Sequence, residues 1–302
     1  MRLKMRLLAI LMVAAASMLS TSATHAADLP FGMTTSHINL VLSVSDADKT
    51  NEFYGDILGL KRIPDLKFPG DTYMIRYMGG SSEVKFIVTG QDLPSHAGGT
   101  SEGIGIRLMA LLLPDSKREG ILEGLKKHGY DVPAFTEGTG FRYGMAYDAD
   151  GNQVEIVFID QDAGNPVFNN FQIGLTVSDS QPMRAFLSKV LGLPELPTED
   201  LGGGLTKYSY KLGDTTIKFW GLGSDLPVSV GSPFEKIGMN LVQFLVPDVD
   251  AVRATVLERG GKIHTEPFAL GNLATIMFVE GPDGILFEFA GPILERLKNE
   301  KD

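Results

Sequence analysis

One feature limits this chain's folding more than any other: it states the same pattern twice. Val44, Ser45 and Asp46 return as Val177, Ser178 and Asp179, Phe53 as Phe186, and Leu58, Gly59 and Leu60 as Leu191, Gly192 and Leu193. Tyr77, Gly80, Lys85 and Phe86 return as Tyr210, Gly213, Lys218 and Phe219. Ile104-Gly105, Pro114-Asp115, Asp150-Gly151 and Glu155 return as Ile237-Gly238, Pro247-Asp248, Asp283-Gly284 and Glu288, every pair 133 positions apart. A constant offset over strand, turn and cap positions marks a duplicated structural unit with no net insertion between the copies.

The local pattern sets what is duplicated. Ile38 to Val44 is an apolar run of strand length, and Asp46 can cap a helix that carries Phe53, Ile57 and Leu58 on one stripe and stops at Gly59. Tyr73 to Met78 and Glu83 to Val88 follow as strands around a Gly79-Gly80 turn. The order restarts at Ile104 to Leu113. A helix follows from Pro114-Asp115, with Ile121, Leu122 and Leu125 inward and His128-Gly129 at its end. Then come Arg142 to Tyr147, a turn at Asp150-Gly151-Asn152 and a strand from Gln153 to Ile159. Each copy is therefore two strand–helix–strands units, and one unit is too small to bury its own apolar face. The expected fold class is α+β: four βαβββ units paired into two tandem modules, 36–160 and 168–291, with curved mixed sheets. Within each module two units would enclose a concave face, the default place for a ligand. Asp160 to Val167 reads as a linker.

The first 26 residues differ. Arg2, Lys4 and Arg6 precede an apolar run from Leu7 to Leu19, and Thr24-His25-Ala26 ends on a small residue. This is the pattern of a cleaved signal peptide, too short to span a bilayer stably, and it implies a periplasmic or secreted protein with no membrane attachment after cleavage. There is no cysteine, which excludes a lipoprotein anchor, disulfides, thiol catalysis and thiolate-bound metal. A formal net charge of −10 argues against nucleic acid, which selects clustered Lys and Arg. Two copies in one chain can supply internally the pairing that single-copy proteins obtain by dimerising, so a monomer is expected.

A strand ending in Val-Ser-Asp, a Phe-Tyr helix ending in Leu-Gly-Leu, and an Asp-Gly hairpin before a Glu-bearing strand resemble the vicinal oxygen chelate superfamily. That group includes glyoxalase I, extradiol dioxygenases, fosfomycin-resistance enzymes and bleomycin-binding proteins. The resemblance covers about residues 36–160 and 168–291, and implies two glyoxalase-like modules. It also implies one divalent metal on a concave face, held by His on first strands and Glu on late strands. Here the first-strand positions fall on Asn39, Gln172, Leu108 and Leu241. The last-strand Glu is kept as Glu155 and Glu288, and the remaining Glu position falls on Lys85 and Lys218. An ion of this kind needs several anionic or imidazole ligands, and an ammonium repels it. The expectation is therefore no cofactor, with a divalent metal as the alternative.

Glu155 with Lys85, and Glu288 with Lys218, are the candidate catalytic pairs. The ammonium would take over the metal's charge and the carboxylate would accept a proton; an ion pair that merely closes the sheet is the alternative. His37 lies on the same strand face as Asn39 and is a candidate base or shifted metal ligand, though a lone strand histidine is more often a surface or core hydrogen-bonding residue. Asn39 and Gln172 are candidate ligand contacts. Arg107, Arg142 and Tyr143 are candidate ligand contacts on or beside inner strands; the arginines can clamp an anionic ligand or be exposed strand-edge residues. Trp220, the single tryptophan, can stack a ring or pack in the core. Gly202-Gly203-Gly204 lacks the Lys-Ser/Thr of a phosphate loop and reads as a mobile lid or a simple loop. The expected function is that of an exported protein acting on a small oxygenated molecule by lyase or isomerase chemistry, without the usual metal. Small-molecule sequestration of the bleomycin-resistance type is the alternative.

Overall fold

The computed structural model describes residues 29–33, 35–68, 70–160 and 170–298. The predicted leader and the linker beyond Asp160 lie outside the described residues. The first unit comprises β1 (Asn39–Ser43), helix α1 (Ala47–Thr50, continued by a wider π-type turn, Asn51–Ile57), β2 (Lys61–Lys67), β3 (Tyr73–Gly79) and β4 (Ser82–Val88). The second comprises β5 (Gly105–Pro114), α2 (Arg118–Lys127), β6 (Thr136–Gly138), β7 (Phe141–Tyr147) and β8 (Gln153–Ile159). The third comprises β9 (Phe171–Val177), α3 (Ser180–Ala185, continued by Phe186–Val190), β10 (Glu199–Asp200), β11 (Thr206–Leu212) and β12 (Thr215–Gly221). The fourth comprises β13 (Gly238–Leu245), α4 (Val249–Glu258), β14 (Lys262–Leu270), β15 (Ala274–Glu280) and β16 (Leu286–Gly291). The α+β class with four βαβββ units is what forms. No helix among the described residues is long and apolar enough to cross a membrane.

The repeated Val-Ser-Asp stretch has a physical role in both copies. Asp46 accepts the free amides of Asp48 and Lys49 at the start of α1, and Asp179 accepts that of Gln181 at the start of α3, which satisfies donors a helix cannot pair internally. Asp248 does the same for Ala251. Asp115 does not cap; its carboxylate is taken by Arg118 and Arg142. The preceding serine makes a clasp. The backbone N–H and hydroxyl of Ser45 donate to Asp150, and those of Ser178 donate to Asp283. Each clasp ties the end of one unit's first strand to the last hairpin of the other unit in the same copy. Gly59 and Gly192 leave the helices at φ +64 and +71, the left-handed exit that glycine takes without strain.

The sheets do not follow the copies. One runs β14-β15-β16-β13-β1-β4-β3-β2 and the other β10-β11-β12-β9-β5-β8-β7-β6. The first sheet therefore joins unit one to unit four, through antiparallel β1 and β13, and the second joins unit two to unit three, through β5 and β9. This corrects the expectation that each copy closes its own concave face. The reason is packing inside a copy. The clasps and helices hold its two units on their helix-bearing sides, where a Cβ on Gly124 of α2 would sit 3.2 Å from Ile57 of α1. The first strands are left to pair with the other copy.

One hydrophobic core, which includes Leu40, Phe53, Phe86, Met109, Phe158, Leu175, Phe244 and Phe287, spans both sheets and their helices. The opposite sheet faces carry separate small clusters. The connectors between units run side by side, with parallel bridges at Ser95–Ile237 and Ile104–Val228. A bulge in β5 at Arg107 and one in β13 at Asn240, equivalent positions, turn these side chains onto the connectors. A bulge re-aims a side chain in this way.

Candidate functional site

The crossed sheets regroup the chemistry. Asn39, Lys85, Leu241 and Glu288 share the concave face of the first sheet, and Gln172, Lys218, Leu108 and Glu155 share that of the second. Lys85 thus shares a face with the other copy's Glu288, with Gln243 between them, and Lys218 pairs with the other copy's Glu155. The pairings expected from each copy alone, Lys85 with Glu155 and Lys218 with Glu288, are replaced.

On the first sheet a residue not singled out in the sequence takes the centre. Gln243 lies two positions beyond Leu241 and so faces the same way. Its Oε1 accepts from Asn39 Nδ2 at 3.1 Å and from Lys85 Nζ at 2.5 Å, and its Nε2 donates to Glu288 Oε1 at 3.0 Å. Asn39 Oδ1 accepts the amide of Glu83, and Glu83 lies 3.5 Å from Lys85 Nζ and 3.2 Å from Arg76. A side-chain amide therefore links the polar positions at the floor. Burial pushes the Glu288 carboxyl above the usual carboxylate range, against the pull of Gln243 and Lys85. Burial also draws the Lys85 ammonium below its ordinary value, against Glu83 and Glu288. Both groups are driven toward neutrality because a charge loses its water there. Above them is a hollow of about 200 Å³ lined by Val41, Met74, Ile87, Leu241, Ile276 and Phe278. Exposed Phe234 and Leu273 stand among its lining residues.

On the second sheet Ala110 stands where Gln243 stands on the first. Without the amide, Lys218 Nζ reaches Glu155 Oε2 directly at 2.5 Å, and both residues are almost wholly buried. Lys207 pairs with Glu199 at 2.6 Å and lies within electrostatic reach of Lys218 and Glu155. Trp220 is on the same face as Lys218, beside Lys207 across the strand pair. Tyr143 packs with Leu112, Val157 and Ile159, and its hydroxyl is raised by burial and by the fields of Glu155 and Glu199. Gln172 is buried opposite Ala110.

The remaining candidates divide. His37 is half-buried just before β1, within reach of Glu83 and Lys85, and burial lowers its pKa. Arg107 is not a ligand clamp: its Nε donates to Gly99 O at 3.1 Å and its Nη1 to His96 O at 2.5 Å, so it holds a connector. Arg142 lies on the face of β7 opposite Tyr143 and is engaged by Asp115 at 2.5 Å and Glu137 at 3.1 Å, away from either floor. His96 bonds Asn240 at 2.7 Å and His128 bonds Glu52 at 2.8 Å. Gln243, Lys207 and Glu199 were not anticipated. Strand alternation from Leu241 would have found Gln243; Glu199 lies on a two-residue edge strand with no sequence pattern.

The donors do not suit the divalent ion that this architecture carries in its metal-dependent members. Among the described residues no group of three or more His, Cys, Asp or Glu converges. The first floor offers an amide pair, the Glu288 carboxylate, a Glu83 carboxylate already engaged by Arg76 and Lys85, and an ammonium, which donates only.

Four βαβββ units in two cross-paired sheets, the first with a hollow over its concave face, define a glyoxalase-type small-molecule scaffold. The family model described as Glyoxalase/Bleomycin resistance protein/Dioxygenase superfamily matches residues 35–156 and 171–289, and the chain belongs to that superfamily. A lactoylglutathione lyase of Arabidopsis thaliana is 23% identical over 258 residues, covering 82% of this chain and 88% of the relative. Glyoxalase I from Zea mays superimposes with a TM-score of 0.62 at 20% identity, over 84% of this chain and 91% of that one. A putative dioxygenase from Bacillus subtilis does so with a TM-score of 0.62 at 16% identity, over 89% and 87%. At these identities the solved structures establish the fold.

Proposed function

We propose that the first sheet's hollow binds a small, largely apolar oxygenated molecule, and that Glu288 moves a proton on it in a lyase or isomerase reaction without a divalent metal. The observation that carries this is the placement of Glu288 at the floor of an apolar hollow, its carboxyl raised by burial. A base works best when its pKa approaches the working pH. Gln243 fixes the carboxylate by donating its Nε2–H to Glu288 Oε1. Lys85, polarising Gln243 from the other side, supplies positive charge near a developing oxyanion. The relatives named lactoylglutathione lyase support a lyase class; the departures at Asn39, Lys85 and Leu241 set this floor apart from a metal-dependent one.

The test is a screen of small carbonyl, lactone and aromatic compounds by ligand-dependent thermal shift, followed by NMR detection of turnover. A compound that stabilises the protein and is converted by it, but not by Glu288→Gln, supports the proposal. Conversion unchanged in that variant refutes the role of Glu288. Sequestration is the second reading, favoured by one observation: Lys85 and one Glu288 oxygen are already engaged by Gln243. Binding without conversion of any compound selects it. We further propose export to the periplasm or medium, from the amino-terminal sequence, and a monomeric state, from the internal pairing of units; fractionation and light scattering test these.

A further inference from the structure

The second sheet's concave face carries a different chemistry, outside the function proposed above. Among the described residues, three polar atoms on it are buried and have no partner: Glu155 Oε1, Glu199 Oε1 and Trp220 Nε1. Glu155 is fully buried and Trp220 is 3% exposed. An unpaired buried group costs about 1–3 kcal/mol, so three on one face are not a neutral accident of packing. They lie around one patch. Lys207 bonds Glu199, stands beside Trp220 across β11 and β12, and feels both Lys218 and Glu155. Ala110 occupies the position from which Gln243 saturates the first floor, and so leaves the Glu155 oxygen open.

The unpaired atoms specify what would satisfy them. Two carboxylate oxygens need ligand donors, and an indole N–H needs a ligand acceptor. Two lysines face two glutamates, so the patch has no net charge to offer an ion. Trp220 and Tyr143 add ring surfaces that can cover the C–H face of a ligand. We infer that the second sheet is a separate binding site for a neutral polyhydroxylated molecule, a sugar or cyclic polyol. Its hydroxyls donate to Glu155 and Glu199 and accept from Trp220.

The test uses the fact that Trp220 is the only tryptophan, so its fluorescence reports on this face. The full chain is titrated with glucose, xylose, N-acetylglucosamine and myo-inositol, with calorimetry in parallel. The inference expects a saturable change with at least one of them. Trp220→Phe, which keeps the ring and removes the donor, should weaken calorimetric binding about tenfold, the equivalent of one lost hydrogen bond. Glu199→Gln should weaken it similarly, which keeps the test informative if Glu155→Gln fails to fold. Glu288→Gln, on the other sheet, should leave the titration unchanged, so this inference and the function proposed for the first sheet fail separately. No response to any of the four compounds overturns it. So does a crystal soaked in them that shows only ordered water on the three atoms, or binding that Trp220→Phe and Glu199→Gln leave intact.

Discussion

The crossed pairing of units makes a quantitative prediction about Lys218. Its ammonium is 2.5 Å from Glu155 and the two side chains are 2% and 0% exposed. Removing one partner of such a pair strands a charge without water and costs about 3–5 kcal/mol. Lys218→Met and Glu155→Gln should each fall in that range, while the double variant, with no stranded charge, should cost far less than their sum. The coupling should reach about 2–3 kcal/mol. Lys218→Met combined with Glu288→Gln joins residues on different sheets, and those costs should add to within about 0.5 kcal/mol. Urea denaturation followed by circular dichroism gives the midpoints and slopes. The single core across both sheets predicts one cooperative transition. Coupling of Lys218 to Glu288 instead of Glu155 would refute the sheet assignment, since it is what two self-contained copies would produce. Additive costs for Lys218 and Glu155 would refute the buried pair.

Three further outcomes follow from other parts of the molecule. Asp148 is buried beneath the hydroxyl of Tyr54, and burial pushes its carboxyl up to about 6. A folded pKa above the unfolded one means that its contribution is fully present below about pH 4 and is lost as pH rises through about 6, up to about 3 kcal/mol; Asp148→Asn should flatten stability measured across that window. Asp150→Ala and Asp283→Ala each remove a clasp to a serine and should each cost about 1–2 kcal/mol, given charge-assisted bonds at partly exposed sites, read as a lower denaturation midpoint. Leu241→Trp should fill the first hollow and abolish the ligand-dependent thermal shift while leaving far-ultraviolet circular dichroism intact.

The repeat made the unit order legible, because strand ends, caps and glycine exits recur at a fixed spacing. Asp46, Asp179, Asp248, Gly59 and Gly192 act as their positions suggest. What the repeat concealed is pairing: with equivalent units, β13 and β5 offer β1 the same kind of edge, and only three-dimensional packing chooses. The outer strands were also hard to see individually. β2 carries Lys61, Arg62, Asp65 and Lys67 around Pro64 and is mostly exposed, as a guarded sheet edge is, so it lacks apolar alternation. Arg107 looked like a ligand clamp because a regular strand would aim it along the sheet face, but the bulge at that residue aims it at the connector. Gln243 carries no repeat signal, because its equivalent in the first copy is Ala110 and the position matching a metal ligand is Leu241, one alternation earlier.

The most direct test of the central claim is elemental analysis of the purified protein alongside ligand response before and after exhaustive chelation. The account predicts divalent metal far below one ion per chain, with the response retained after chelation and lost in Leu241→Trp. A stoichiometric ion whose removal abolishes the response, and whose return restores it, would contradict a floor organised by Gln243, Lys85 and Glu288.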